Sequence, residues 1–139
     1  MIILDTNVVS EVFKPKPDHA AAGWLMAQPK DQCFLTAISK SELLFGLVRM
    51  PDGKRKRDLA DVIQAFFDLE LLNPVLAFES SDAEHYADIL ARRQRLGRRM
   101  GELDAQIAAI ARRRGCSVAT RNGADFEDCG IDIINPWEH

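Results

Sequence analysis

The chain has 139 residues, of which 47% are apolar and 28% are charged. This composition is that of an ordinary globular domain, and it excludes a disordered chain, which would have fewer apolar residues and a larger net charge. The formal net charge of −3 excludes binding of nucleic acid through a globally basic surface, so any such binding requires a local basic patch.

Short apolar segments alternate with segments of helical periodicity, and the length predicts a single domain over residues 1–139. Strands are predicted at residues 2–4, 33–37, 75–78, 117–119 and 131–134. Helices are predicted at residues 7–13, 18–27, 39 to about 51, 55–71, 81–96 and 102–114, with caps at Asp18 and Gly115. Strands separated by helices are typical of an α/β fold, in which a central parallel sheet of four to five short strands carries helices on both faces.

The three cysteines and three histidines are scattered along the chain. Because the cysteines form no CxxC pair, neither a disulfide framework nor a zinc site is expected. The isolated histidines indicate neither a histidine metal site nor a Ser/His/Asp triad. Met1 leads directly into an apolar segment that is too short for a signal peptide or a membrane span, so a cytoplasmic protein is expected.

Four acidic residues stand where the predicted strands end or where the following helices begin. Asp5 follows the first strand, Glu42 lies one turn into the helix after the second, Asp104 opens the helix at 102–114, and Asp125 follows the strand at 117–119. Ligands of parallel sheets bind beyond the carboxyl ends of the strands, so these carboxylates are expected to converge there. Hard oxygen ligands prefer Mg²⁺ or Mn²⁺, which indicates a metal-dependent hydrolase.

Each of these acids also has a purely structural interpretation. Asp5 fits a helix N-cap, and Ser39 with Glu42 fits a capping box. Asp104 suits the dipole of a helix start, and Asp125 suits a turn. No single acid decides between the two interpretations, and the metal site is indicated only by their joint placement.

The chain carries five short motifs that resemble those of one protein family. Residues 3–7 (ILDTN), 41–46 (SELLFG) and 103–109 (LDAQIAA) resemble the three acidic motifs of PIN domains. Residues 119–126 (ATRNGADF) and 134–137 (INPW) resemble the end of the VapC-type toxins, particularly their FitB-like branch. The motifs are collinear from residue 2 to residue 137, and this order makes the resemblance specific.

The resemblance implies a Rossmann-like PIN fold, a Mg²⁺ or Mn²⁺ site, and cleavage of single-stranded RNA. It also implies the toxin of a type II toxin–antitoxin pair: a homodimer, silenced by a VapB- or FitA-like antitoxin in a larger hetero-oligomer. The catalytic and metal positions of the family carry over to Asp5, Glu42 and Asp104. Three supporting polar positions carry over to Thr6, Asn7 and Thr120.

The sequence departs from the family pattern at Asn122, where many members carry an aspartate. An asparagine can bind a cation through its carbonyl oxygen but adds no charge, so Asp125 is the candidate for the fourth carboxylate. Whether Asn122 or Asp125 is the fourth ligand stays open.

Three arginines near the inferred site are candidates for binding RNA: Arg98, Arg99 and Arg121. The alternative is that they are plain surface charges, like the other basic runs at 54–57 and 112–114. The apolar residues between Leu59 and Phe67 are expected to pack in the core, or alternatively to bind a dimer partner or the antitoxin.

Two other functions share some of these features. A phosphatase of the haloacid dehalogenase type also places an aspartate after its first strand, but it usually has a second aspartate where this chain has Asn7. A regulatory module could bind Mg²⁺ through the same acids without turnover.

Overall fold

A parallel sheet of four short strands lies at the centre of the computed structural model, which describes residues 1–138. The strands are β1 (Ile2–Leu4), β2 (Cys33–Phe34), β3 (Ser117–Ala119) and β4 (Ile133–Ile134). Their order is β2-β1-β3-β4, so β1 pairs on both edges and its carboxyl end lies in the middle of the sheet. The last residue of the predicted domain, His139, lies outside the described residues.

Six α-helices surround this sheet within residues 1–138. They are α1 (Thr6–Val12), α2 (His19–Ala27), α3 (Ala37–Val48), α4 (Lys54–Ala65), α5 (Ala83–Arg95) and α6 (Glu102–Arg114). The predicted caps are confirmed, because the Asp18 carboxylate accepts the Ala21 N–H and Gly115 ends α6 at a left-handed φ of 67°. None of the helices in the described part of the chain is long and apolar enough to cross a membrane.

The core is divided between the two faces of the sheet. Along β1, Ile3 belongs to one apolar cluster and Leu4 to the other, as the alternation of side chains in a strand requires. The first cluster is filled by α5 and the alanine-rich α6, and the second by α1 and α2. The predicted α/β fold, with a parallel sheet covered on both faces, is therefore confirmed.

The predicted strand at 75–78 is wrong. Only Leu76 pairs, through a single parallel bridge to Thr36, with its N–H donating to the Leu35 carbonyl at 2.9 Å. The reason is local, because Thr36 already caps α3 and its hydroxyl accepts the Ser39 N–H at 3.2 Å. No extended neighbour is left for a longer strand, and the predicted strand at 33–37 is shortened to β2 for the same reason.

The predicted helix at 55–71 is interrupted. α4 ends at Ala65, and the chain continues as a π-helical turn over Phe66–Glu70. The wider turn lets Phe66 and Phe67 both reach the second apolar cluster, where their rings meet edge to face with centroids 5.4 Å apart. Val62 remains 46% exposed, so only part of this segment packs in the core as expected.

Candidate active site

Asp5 is the most buried of the four predicted acids, with 7% of its surface exposed. It follows β1, where its N–H donates to the Ala119 carbonyl of β3, and it caps α1 by accepting the Thr6 N–H at 2.8 Å. Its other oxygen accepts the Thr120 hydroxyl at 2.8 Å and the Asn7 amide at 3.3 Å. Burial raises the pKa of Asp5, and the hydrogen bonds from Thr120 and Thr6 oppose that rise. The N-cap interpretation of Asp5 is thus confirmed, and the cap holds a carboxylate at the centre of the sheet edge.

Glu42 projects from α3 toward the same edge. Its Oε1 accepts the Thr6 hydroxyl at 2.9 Å, which connects α3 to the start of α1. The capping box proposed for Ser39 and Glu42 is wrong, because Ser39 lies inside α3 and Thr36 is the cap. Partial burial raises the pKa of Glu42, the Thr6 hydrogen bond lowers it, and the charge of Asp5 raises it further.

Asp104 lies in the first turn of α6 and is half-buried. Burial, followed by repulsion from Asp5, Asp125 and Glu42, raises its pKa to about 6. Each of the other three predicted acids therefore contributes to the electrostatic field at Asp104. The charges of Asp5, Asp125 and Glu42 thus all act on Asp104, and a shared metal site stays a prediction.

Asp125 is exposed and lies in a 3₁₀ turn over Gly123–Phe126. The turn is held to the strand end by hydrogen bonds, since the Asn122 N–H donates to the Thr120 hydroxyl at 3.1 Å and the Asp125 N–H donates to the Asn122 carbonyl at 3.0 Å. Asn122 is exposed beside it. Both candidates for the fourth ligand thus stay available, and the geometry does not choose between them.

Thr120 and Asn7 connect the two central strands at this edge. Thr120 is fully buried, and Asn7 donates to its hydroxyl at 3.4 Å while accepting the Arg121 N–H at 3.3 Å. Together with the bonds to Asp5, these contacts fix the acid cluster through the backbone ends of β1 and β3. The supporting role predicted for these polar residues is consistent with this placement.

The arrangement fits a hard divalent cation. Within residues 1–138, no three acidic, histidine or cysteine side chains form a ready-made metal cage. However, Mg²⁺ keeps several waters and needs only one or two direct carboxylates, so an open cluster suits it. The raised pKa of Asp104 gives the chemical reason, because a cation among these acids would relieve their mutual repulsion.

The three predicted RNA-binding arginines have different surroundings. Arg98 forms ion pairs with Glu127 at 2.8 Å and Asp128 at 2.9 Å. Arg99 is exposed, and Arg121 stacks its guanidinium over the Trp137 ring at 5.2 Å from the centroid. RNA binding by these residues stays a prediction, and it is least direct for Arg98, whose guanidinium is already engaged.

A groove of about 1100 Å³ begins at Thr6 and Glu42 and runs between α1, α3 and α4. Its floor is largely apolar, and it includes residues of the 59–67 segment. Four basic side chains line it as well, Lys14, Arg49, Lys54 and Arg55, against one acidic side chain away from Glu42, that of Asp58. The groove therefore joins the acid cluster to a long apolar surface with positive charge along it.

One buried polar residue near the cluster was missed from the sequence. Arg93 of α5 is only 3% exposed, although it stands in a run of arginines whose charge indicates a solvated helix face. The available signal was its spacing, since it follows Ile89 by four residues and shares the buried face of α5.

Comparison with known proteins connects this site to one family. A family model for the PIN domain matches residues 2–131. The chain is 43% identical over 138 residues to VapC ribonuclease Y4jK of Sinorhizobium fredii, and 31% identical over 137 residues to toxin FitB of Neisseria gonorrhoeae, with 99% of both chains covered in each case. A chain in the solved structure of FitAB bound to the IR36 DNA fragment superposes with a TM-score of 0.93 at 31% identity, covering 99% of this chain and 96% of that one. The matched residues include all four acids of the cluster.

Proposed function

Because this chain belongs to the PIN-domain family, and within it to the VapC- and FitB-like toxins, we propose that it is the toxin of a type II toxin–antitoxin pair and a Mg²⁺- or Mn²⁺-dependent endoribonuclease acting on single-stranded RNA. The observation that carries the proposal is the cluster of acids around the half-buried Asp104, whose pKa is raised to about 6 by burial and then by the charges of Asp5, Asp125 and Glu42. Such a cluster at the carboxyl edge of a parallel sheet is suited to hold a divalent cation and a phosphodiester.

Asp5 and Asp104 would hold the cation directly, with Asp125 or Asn122 completing the set. When bound, the cation supplies positive charge for the phosphate oxygens and lowers the pKa of water. Thr120 and Thr6 keep the Asp5 carboxylate oriented by their hydrogen bonds, at 2.8 Å each. The site therefore orients its central ligand before any substrate arrives.

Glu42 is the candidate general base. The Thr6 hydroxyl occupies its Oε1, which leaves Oε2 to accept a proton from the attacking water. The water oxygen forms the new bond to phosphorus, the bond from phosphorus to the leaving ribose oxygen breaks, and that oxygen takes a proton from solvent. The raised pKa of Glu42 brings its basicity closer to what proton transfer near neutral pH requires.

Single-stranded RNA would reach the acids along exposed arginines. Arg99 and Arg121 are exposed beside the segments that carry Asp104 and Asp125, so they can contact phosphates without first breaking an ion pair. Arg98 would have to exchange its carboxylate partners for a phosphate. The modest net charge of −3 makes such local contacts necessary.

The groove beside Glu42 is the proposed binding site of the antitoxin. Its apolar floor suits an amphipathic segment, and its basic side chains suit acidic residues on that segment. Because the groove opens at Thr6 and Glu42, a bound segment could place an arginine among the carboxylates, where it would compete with the cation. We further propose a homodimer, for which α3 offers the exposed apolar residues Leu44 and Val48 outside that groove.

The test is cleavage of a single-stranded RNA oligonucleotide by the purified chain, free of antitoxin, in Mn²⁺ and in EDTA. Cleavage in Mn²⁺, its loss in EDTA, and resistance of a duplex of the same sequence are expected. Phosphate release from an aryl phosphate with intact RNA would replace the proposal by a phosphatase. Metal binding without turnover of a broad panel of RNAs would replace it by a regulatory module.

The affinity for Mn²⁺ is expected to fall as the pH falls through about 6. The pKa of Asp104 is about 6, so below that pH a cation must displace its proton. One displaced proton weakens the apparent Kd by about tenfold per pH unit, and well above the pKa the affinity levels off. Calorimetric titration between pH 5 and 8 measures this, with Asp104→Asn as the variant that lacks the step. An affinity that stays constant across this range contradicts the assignment.

A further inference from the structure

Arg93 is a buried cation whose two terminal nitrogens donate hydrogen bonds to backbone carbonyls. Its Nη1 donates to the carbonyls of Ala124 at 3.2 Å and Glu127 at 2.9 Å, and its Nη2 donates to the carbonyl of Arg99 at 3.2 Å. Within residues 1–138, no carboxylate lies within ion-pair distance of it, and its buried Nε has no hydrogen-bond partner. Burying a charge without a carboxylate partner costs free energy, so the contacts that this guanidinium makes have to offset that cost.

These contacts join the two segments that carry Asp104 and Asp125. Arg99 lies in the connection from α5 to α6, just before the turn of α6 that bears Asp104. Ala124 and Glu127 flank Asp125 on either side. A single planar group thus ties the connection that leads into α6 to the segment around the 3₁₀ turn that carries Asp125.

A second arginine makes a weaker connection between the same segments on the solvent side. Arg98 reaches Glu127 and Asp128, but its side chain is 39% exposed, and exposed ion pairs contribute little. The guanidinium of Arg93 is buried and planar, so its hydrogen bonds hold the two segments together more firmly than the ion pairs of Arg98 do. The charge of Arg93 also opposes the rise in the pKa of Asp104, which places it close enough to act on the cluster.

We propose that Arg93 is a positioning residue of the acid cluster, whose forked hydrogen bonds set the separation of Asp104 and Asp125 and thereby the affinity for the divalent cation. This inference rests on the proposed function. The role is assigned to the hydrogen bonds of the guanidinium and not to its charge. A lysine at this position would keep the charge but reach fewer of the three carbonyls. Outer residues that orient metal ligands change metal affinity by about 10- to 100-fold when replaced.

The test compares Arg93→Met and Arg93→Lys with Arg92→Met, a matched control at the exposed neighbouring position of α5. Mn²⁺ affinity is measured by calorimetry on variants whose circular dichroism matches the wild type, together with kcat and KM on single-stranded RNA. Both Arg93 variants are expected to bind Mn²⁺ about tenfold more weakly or worse, and to lose kcat with little change in KM. The control is expected to match the wild type.

Hydrogen exchange of the metal-free proteins gives a readout that is independent of activity. Amides at 122–128 and at the start of α6 are expected to exchange faster in Arg93→Met than in the control, because the tie between them is lost. If Arg93→Met fails to fold, Arg93→Lys decides the matter in the same way.

Two results would overturn the positioning role. One is a folded Arg93→Met protein that binds Mn²⁺ within twofold of the wild type. The other is full affinity in Arg93→Lys, which would show that the hydrogen bonds to all three carbonyls are not required. A wild-type protein that neither binds Mn²⁺ nor cleaves RNA would instead refute the proposed function, so the two failures are distinguishable.

Discussion

Replacement of Asp104 by asparagine is expected to slow RNA cleavage by at least about 100-fold, a loss of ~2.7 kcal/mol of transition-state stabilisation, while making the metal-free protein more stable. The first effect follows from losing a proposed direct ligand of the cation. The second follows from the pKa of about 6, which lies above the ordinary value of 3.8 and shows that the ionised form is disfavoured in the folded protein.

The sign of the stability effect depends on pH. Because the folded-state pKa is raised, the stability associated with protonated Asp104 is present at acidic pH and is lost as the pH rises from 3.8 to about 6. Removing the charge at pH 8 should therefore raise the melting temperature, by about 3 °C for ~1 kcal/mol. The gain should disappear at pH 4, where the wild-type carboxyl is largely protonated.

Thermal unfolding in EDTA and cleavage in Mn²⁺ measure the two effects on the same preparations. Asp61→Asn is a matched control, because it removes an exposed carboxylate of α4 that contributes nothing to the field at Asp104. It should leave both quantities unchanged. An Asp104→Asn protein that melts below the wild type at pH 8, or that still cleaves at a tenth of its rate, would contradict the acid cluster as described.

Much of the candidate site could be predicted because the geometry of a parallel sheet is simple. Asp5 and Thr120 follow paired strands, and the carboxyl ends of parallel strands meet at one edge whatever the details of packing. Asp104 could be placed because Gly101 and Gly115 bracket an alanine-rich helix. These inferences need only local pattern, which the sequence carries in full.

The parts that the sequence did not reveal depend on contacts between distant segments. The spacing of Arg93 from Ile89 indicates a shared buried face, but the carbonyls that accept its hydrogen bonds lie 6 to 34 positions away along the chain, and no local pattern encodes them. Likewise, the segment around Leu76 has the composition of a strand but finds only one residue to pair with. Glu42 fits a capping box by spacing, yet its partner is Thr6 on another helix.

Replacement of Asp5 by asparagine is expected to slow cleavage by at least about 100-fold, as for Asp104→Asn. Unlike Asp104→Asn, it is expected to lower the stability of the metal-free protein, by about 2 kcal/mol. Burial raises the pKa of both acids, but at Asp5 the hydrogen bonds from Thr120 and Thr6 oppose the rise, whereas no hydrogen bond contributes to the pKa of Asp104. The two variants differ in these bonds, because the bond from Thr120 is lost in Asp5→Asn. An asparagine at position 5 can still cap α1 through its carbonyl oxygen. Its amide group, however, would stand where Oδ2 now accepts from Thr120 and Asn7.

The amide would face two donors and satisfy neither. The Thr120 hydroxyl already accepts from the Asn122 N–H, and it is fully buried, so losing its acceptor leaves a buried donor unpaired at a cost of about 1–3 kcal/mol. Asp18→Asn is the matched control, since it replaces another N-cap aspartate, exposed and outside the cluster, where asparagine caps equally well. Thermal unfolding in EDTA should place Asp5→Asn below the wild type and Asp104→Asn above it, with Asp18→Asn unchanged. If the melting temperatures of Asp5→Asn and Asp104→Asn shifted in the same direction, the proposed difference between the two carboxylates would be wrong.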